Sequence, residues 1–203
     1  MPRDASATRE RLITAGARLF ATHGIDAART RDIVTLAGQG NDSAITYHFG
    51  SRQGLLEAIL RAGVERMEPS RTTAPADLPG VVTAIVEPTA AELRTPHGRD
   101  FLRITAQLAG RAGIRDDTTP ALLHGTRLVR QLDLLAACLA HLPEPLARER
   151  VSLFIAFLTA ALADRTTRIE AAAPGRDLPV DHGAYVADLT AMLTAALSAP
   201  PAP

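Results

Sequence analysis

A chain of 203 residues with 46% apolar positions is long enough to bury a substantial core and too apolar to be disordered. Aromatics are only 3%, tryptophan is absent, and alanine and leucine dominate, which favours helices over strands. The 22 basic and 22 acidic residues cancel, which excludes a uniformly basic nucleic-acid coat protein.

Every basic residue is an arginine, and guanidinium forks suit phosphate and guanine contacts. Residues 1–66 hold nine arginines against seven acids, and residues 67–203 thirteen against fifteen, a slight basic bias toward the N-terminal end. A single cysteine, Cys138, leaves no partner for an intramolecular disulfide. Its neighbours Leu134, Leu135, Ala136, Ala137 and Leu139 predict a small buried thiol. The chain starts on polar residues, and its longest apolar block, 151–163, falls short of the ~18 residues that a bilayer demands. A cytoplasmic protein with no membrane partner is expected.

In chain order, Leu12, Ile13, Ala15, Gly16, Leu19 and Phe20 recur at helical spacing and predict a first helix over 7–23, stopped by Gly24. A short connection leads to Thr30 as N-cap of a second helix over 31–37, with Asp32 in its first turn and Gly38 at its end. Gln39, Gly40, Asn41 and Asp42 form a turn before a short third helix over 43–49, with Ile45 and Phe49 as its core side. Gly50 ends that helix, and Ser51 caps a fourth that runs to about 68. Residues 69–80 are a proline-rich boundary. Further helices are expected at about 81–95, kinked at Pro88, then 99–113, 120–141, 145–170 and 183–198, with a loop over 171–183 and a disordered tail from 200.

Helix, glycine-containing turn and short second helix, braced on both sides, is the helix-turn-helix pattern. Its second helix must be short enough to enter a major groove about 12 Å wide, and it must be anchored from beneath. Ile45 and Phe49 would anchor it, leaving Ser43, Thr46, Tyr47 and His48 outward, with Tyr47 either facing DNA or packed in part against the first helix. Thr30 and Ser51 open their helices, where hydroxyls and backbone N–H groups hold phosphates. Arg29, Arg31 and Arg52 add charge on the same side.

The stretch 8–62 resembles the N-terminal domain of the TetR family of repressors. The residues that carry the resemblance are Leu19-Phe20, Gly24, Thr30-Arg31-Asp32-Ile33, Leu36-Ala37-Gly38, Ile45, Tyr47-His48-Phe49, Gly50-Ser51-Arg52 and Leu55-Leu56. The resemblance implies an all-α fold of about nine helices. A DNA-binding head over 1–52, joined by the helix 51–68, would sit on a ligand-binding and dimerising body over 69–203. It also implies a homodimer on double-stranded operator DNA, which two-fold symmetry makes an inverted repeat, and an unidentified small-molecule effector held among the middle helices. The DNA-facing set is then Arg29, Thr30, Arg31, Gln39, Asn41, Asp42, Ser43, Thr46, Tyr47, His48, Ser51 and Arg52.

Two positions depart from the family pattern. The turn between Gly38 and Phe49 is one residue longer, which leaves open whether Asp42 reads a cytosine amino group or caps the helix. Gly54 replaces a helix former and is expected to loosen the fourth helix by up to ~1 kcal/mol relative to alanine.

Catalytic and metal chemistry have little support. Gly38-Gln39-Gly40 imitates a dinucleotide fingerprint without the strand before it or the third glycine. The six histidines are scattered, Asp116-Asp117 reads as a capping pair, and no nucleophile, base and orienting group come together, so neither a cofactor nor a metal is expected. In the body, Arg103, Gln107, His124 and Arg127 are polar residues on apolar helices and are the candidates for orienting a ligand. The block 151–163 is apolar nearly all round, which suits a helix packed both on its own core and on a partner. This predicts a four-helix dimer interface through Val151, Phe154, Phe157, Leu158, Ala161 and Leu162 with Leu189, Met192 and Leu193. The alternative is a DNA-binding dimer controlled by a protein partner or lacking a small-molecule ligand.

Overall fold

The computed structural model describes residues 2–41, 43–73, 76–109, 123–173 and 178–201, with side chains from residue 5 onward. Among these residues there are nine α-helices and no strand. They are α1 (Pro2–His23), α2 (Thr30–Leu36), α3 (Ala44–Phe49), α4 (Arg52–Met67), α5 (Leu78–Ala91), α6 (Pro96–Ala109), α7 (Arg127–Cys138), α8 (Glu144–Ala171) and α9 (His182–Ser198). Asp42 and the pair Asp116-Asp117 lie outside the described residues, as do parts of the expected helices 99–113 and 120–141, of the loop 171–183 and of the tail.

Two apolar clusters organise the chain. The first gathers Leu12, Phe20, Ile33, Val34, Ile45, Leu55 and Ile59 from α1 to α4, and Ile104 of α6 completes it. The second gathers Val82, Ile85, Leu102, Leu135, Phe154, Leu158, Leu162, Leu189 and Leu193 from α5 to α9. Helix α6 therefore serves both: its Phe101 and Leu102 face the body while Ile104 faces the head. It packs along α1 on one side and α8 on the other.

The local starts and stops differ in detail from the sequence expectations. Arg29, not Thr30, is the N-cap of α2, and no side chain fills the cap, so Thr30 is the first helical residue. Asn41, within the expected turn, organises the entry to α3: its Oδ1 accepts from Ser43 N at 2.9 Å, an Asx turn. Ser51 caps α4 as expected, its Oγ accepting from Gly54 N at 3.0 Å. Gly50 makes the α3–α4 corner at φ +74°, a left-handed conformation that a side chain would strain. Gly54 is a correction. A Cβ there would lie 2.1 Å from the carbonyl oxygen of Phe49, so glycine admits the tight corner rather than loosening the helix.

The helix expected over 81–95 starts earlier and ends at Ala91, passing into a 3₁₀ turn at Glu92–Arg94, with Pro88 buried within it. Helix α7 begins only at Arg127, after Gly125 and the capping hydroxyl of Thr126, and ends at Cys138. Cys138 is half-buried rather than buried; its Sγ lies 3.6 Å from the carbonyl of Ala76.

Helix α8 carries two apolar stripes. Phe154, Leu158 and Leu162 point into the chain's own core, and Leu189 and Leu193 of α9 meet them there. These five residues are therefore not available to a partner, and Val151 and Ala161 are partly buried against the same cluster. Of the residues expected at the interface, Phe157 (38% exposed) and Met192 (49%) remain outward, joined by Leu153 (56%) one turn from Phe157. No helix among the described residues is long and apolar enough to cross a membrane.

Candidate nucleic-acid interface

The turn from α2 to α3 projects a small exposed surface from a firmly anchored base. Ile33 and Val34 pin α2, and Ile45, 2% exposed, pins α3. On the opposite side of α3, Thr46 is exposed and Tyr47 stands 82% exposed, so the packed alternative for Tyr47 is overturned. His48 is half-buried and meets the Tyr47 ring edge-on, with centroids 4.9 Å apart. Phe49, expected in the core, is only half-buried, and the Arg9 guanidinium covers its ring at 5.1 Å. Arg29, Arg31, Asn41, Ser43 and Ser51 are exposed, and Thr30 and Gln39 are half-buried. Short helix, exposed aromatic and hydroxyl, flanking guanidiniums and a free helix start suit insertion into a groove edged by phosphates.

Arg52 is the exception. Its Nη2 donates to the carbonyl of Ala28 at 2.7 Å and to that of Ile25, and its guanidinium lies 4.9 Å above the Phe20 ring. It therefore clamps the α1–α2 loop to α4 instead of standing free for phosphate.

The other side of that loop is held from the body. Gln107 of α6 accepts from Ile25 N at 2.8 Å and donates to Phe20 O at 3.1 Å. Ile25 is thus gripped at its N–H by the body and at its C=O by α4. A second tie joins α1 to α6 and α8. Arg18 pairs with Asp100 at 3.2 Å and lies 3.9 Å from Glu170, which also receives Arg99 at 3.3 Å and Arg103 at 2.7 Å. Burial raises the Asp100 pKa above the ordinary carboxylate value, and the hydrogen bond from Arg18 opposes it. Partial burial pushes Glu170 up as well, but Arg103, Arg99 and Arg18 together hold it below the ordinary value.

These contacts redistribute the residues expected to orient a ligand. Arg103 and Gln107 belong to the head–body joint. Arg127 is spent on Glu68 and Arg71: its N donates to Glu68 Oε2 at 3.0 Å and its Nη1 to Glu68 O at 2.8 Å. His124 lies exposed in the turn before α7. The four share neither the cleft of about 570 Å³ at the joint nor the groove of about 610 Å³ between α5 and α9. Sequence reasoning missed Arg18, Asp100 and the role of Gln107 because a residue on α6 carries no local mark of what it meets some 80 positions earlier in the chain.

Among the described residues the architecture is all-helical, with a helix-turn-helix head on a larger helical body. Residues 12–59 match the family described as bacterial regulatory proteins, tetR family.

No curated protein matches the sequence. Among solved structures, a TetR-like transcriptional regulator from Rhodococcus sp. RHA1 is 14% identical, with a TM-score of 0.59 over 95% of this chain and 97% of that one. The fatty acid degradation regulator FadR from Bacillus halodurans is 16% identical, with a TM-score of 0.56 over 91% and 97%. A TetR variant from Acinetobacter baumannii in complex with minocycline is 14% identical, with a TM-score of 0.53 over 92% of each chain. At these identities the likeness is one of fold.

Proposed function

We propose that this protein is a homodimeric, cytoplasmic transcriptional repressor that binds double-stranded operator DNA at an inverted repeat and is released by a small-molecule effector. The observation that carries the reading is α3: six residues long, anchored by Ile45, and offering Thr46 and an 82% exposed Tyr47 to solvent. A bare aromatic ring beside a hydroxyl is costly to leave in water and well suited to a thymine methyl and base edges. In this reading residues 1–52, with the helix 51–68 as connector, read DNA, while 69–203 sense and dimerise. Thr46, Tyr47 and His48 face bases, and Arg29, Thr30, Arg31, Gln39, Asn41, Ser43 and Ser51 face the backbone or its edge. The outward stripe of Leu153, Phe157 and Met192 supplies the dimer contact, because isolated exposed apolar residues are ordinary but a stripe along two helices asks for a cover. Helix α6, shared by both cores, carries effector occupancy to the head through Gln107 and Asp100.

The test is footprinting on the DNA beside the gene, followed by selection of preferred sites with Thr46→Val. The parent is expected to protect two half-sites about one helical turn apart, and Thr46→Val to change the preferred bases within each. Uniform, sequence-blind protection at every salt concentration would overturn the reading.

A further inference from the structure

The buried charged side chains of the described residues are Arg71, Glu92, Asp100 and Arg165. Three are closely partnered. Glu92 receives Arg66 Nε at 2.9 Å, Asp100 receives Arg18 at 3.2 Å, and Arg165 donates to Val180 O while covering the Tyr185 ring at 4.5 Å. Arg71, 3% exposed, is different. Its nearest carboxylate oxygen, Glu68 Oε1, is 3.9 Å from Nε, and these two buried atoms both lack a hydrogen-bond partner. One good bond remains, Nη1 to Gln131 Oε1 at 2.9 Å, with longer contacts from Nη2 to Thr89 Oγ1 at 3.4 Å and Met67 Sδ at 3.8 Å. Burial pushes the guanidinium pKa down, and the Glu68 charge opposes that without cancelling it.

The charges around Arg71 do not balance. The backbone N–H of Arg127 takes Glu68 Oε2, and its exposed guanidinium lies on the backbone carbonyls of Glu68 and Arg71, so two guanidiniums stand beside a single carboxylate. A buried cation left in this state is expensive, which makes it a candidate binding group. Two features describe what would complete it. One negative charge restores neutrality, and a guanidinium edge matches a planar carboxylate bidentately. The orphaned Nε donor and Oε1 acceptor, 3.9 Å apart, are spaced for one hydroxyl oxygen that accepts from the first and donates to the second. Beyond the head the surroundings turn apolar: Ile85 lies one helical turn from Thr89, and Leu135 one turn from Gln131, both in the body cluster. Ser70 and Thr72, on either side of Arg71 in the chain, line the groove between α5 and α9.

We infer that Arg71 is the anchor for an acidic effector, a hydroxylated carboxylic acid with an apolar body, its carboxylate on the guanidinium and its hydroxyl between Arg71 and Glu68. This rests on the reading of the protein as effector-controlled.

The experiment uses the full chain and three probes: 3-hydroxydecanoate, decanoate and methyl 3-hydroxydecanoate. Binding is read by calorimetry and thermal unfolding, and operator release by mobility shift. The hydroxy acid is expected to bind and raise Tm, decanoate to bind less tightly, and the uncharged ester to bind at least about tenfold more weakly than the hydroxy acid, as for a lost charged hydrogen bond. Arg71→Met should keep the ligand-free Tm of the parent and lose the preference for acid over ester. Arg71→Lys, which keeps the charge without the fork, should bind the hydroxy acid about tenfold more weakly and serves if Arg71→Met does not fold. Equal binding of acid and ester, no binding of either acid, or undiminished acid binding by Arg71→Met or Arg71→Lys would each overturn the anchor. Acid binding through Arg71 without operator release would leave the anchor standing and refute effector control. Release by the ester alone would do the reverse.

Discussion

Gln107→Ala tests the joint between head and body most directly. The substitution removes two hydrogen bonds, from Ile25 N to Oε1 at 2.8 Å and from Nε2 to Phe20 O at 3.1 Å, and their costs are unequal. Phe20 O also accepts from Gly24 N at 3.1 Å, so it keeps a partner, and losing Gln107 there costs about 0.5 kcal/mol. Ile25 is only 4% exposed, and its N–H is left without an acceptor, a loss of about 1–3 kcal/mol depending on whether water enters. The expected total is about 2 kcal/mol, read by urea denaturation, with faster hydrogen exchange at the Ile25 amide as the local signature. Operator affinity should fall without a change in preferred sequence, since the loop positions α2 and α3 but does not touch bases. A double-mutant cycle with Arg52→Ala should give a coupling of at least about 0.5 kcal/mol, because the two side chains hold opposite ends of Ile25. A loss below about 0.5 kcal/mol with unaltered exchange at Ile25 would refute the joint.

Arg52→Ala should destabilise the head by about 2–3 kcal/mol through two lost carbonyl bonds and the stacked Phe20, yet leave the salt slope of DNA binding unchanged; a slope reduced by about one would return Arg52 to the phosphates. Gly54→Ala would gain about 1 kcal/mol of helix propensity. Its Cβ would press on Phe49 O at 2.1 Å, however, so a net loss of about 1–3 kcal/mol is expected, and a raised Tm would contradict the tight corner. Phe157→Arg should leave the monomer folded, since the side chain is already 38% exposed, but bury an unpaired charge in a dimer. Sedimentation should then give a helical monomer with weak, half-site DNA binding, and a persistent dimer would move the interface elsewhere.

What the sequence alone determined were the features that short-range physics writes into adjacent residues. Periodicity marked α1 and α4, Ser51 capped the helix it was expected to cap, and spacing put Ile45 beneath α3 with Thr46 and Tyr47 above it. Local pattern was ambiguous wherever a residue had two competing partners. Thr30 reads as a cap, but Arg29 takes the position; Gly54 reads as a weakness until the carbonyl of Phe49 is seen where a methyl would go. The apolar block on α8 announced two buried faces without saying which residue belonged to which, because an all-apolar helix carries no phase; only packing against α6 and α9 turned Phe154, Leu158 and Leu162 inward and left Leu153 and Phe157 outside. Arg52, Gln107 and Arg71 were decided by tertiary structure alone. A long polar side chain on a helix reads as solvated from its own neighbours, and what it does depends on a carbonyl, an amide or a hydroxyl that the chain brings to it from 18 to 87 residues away.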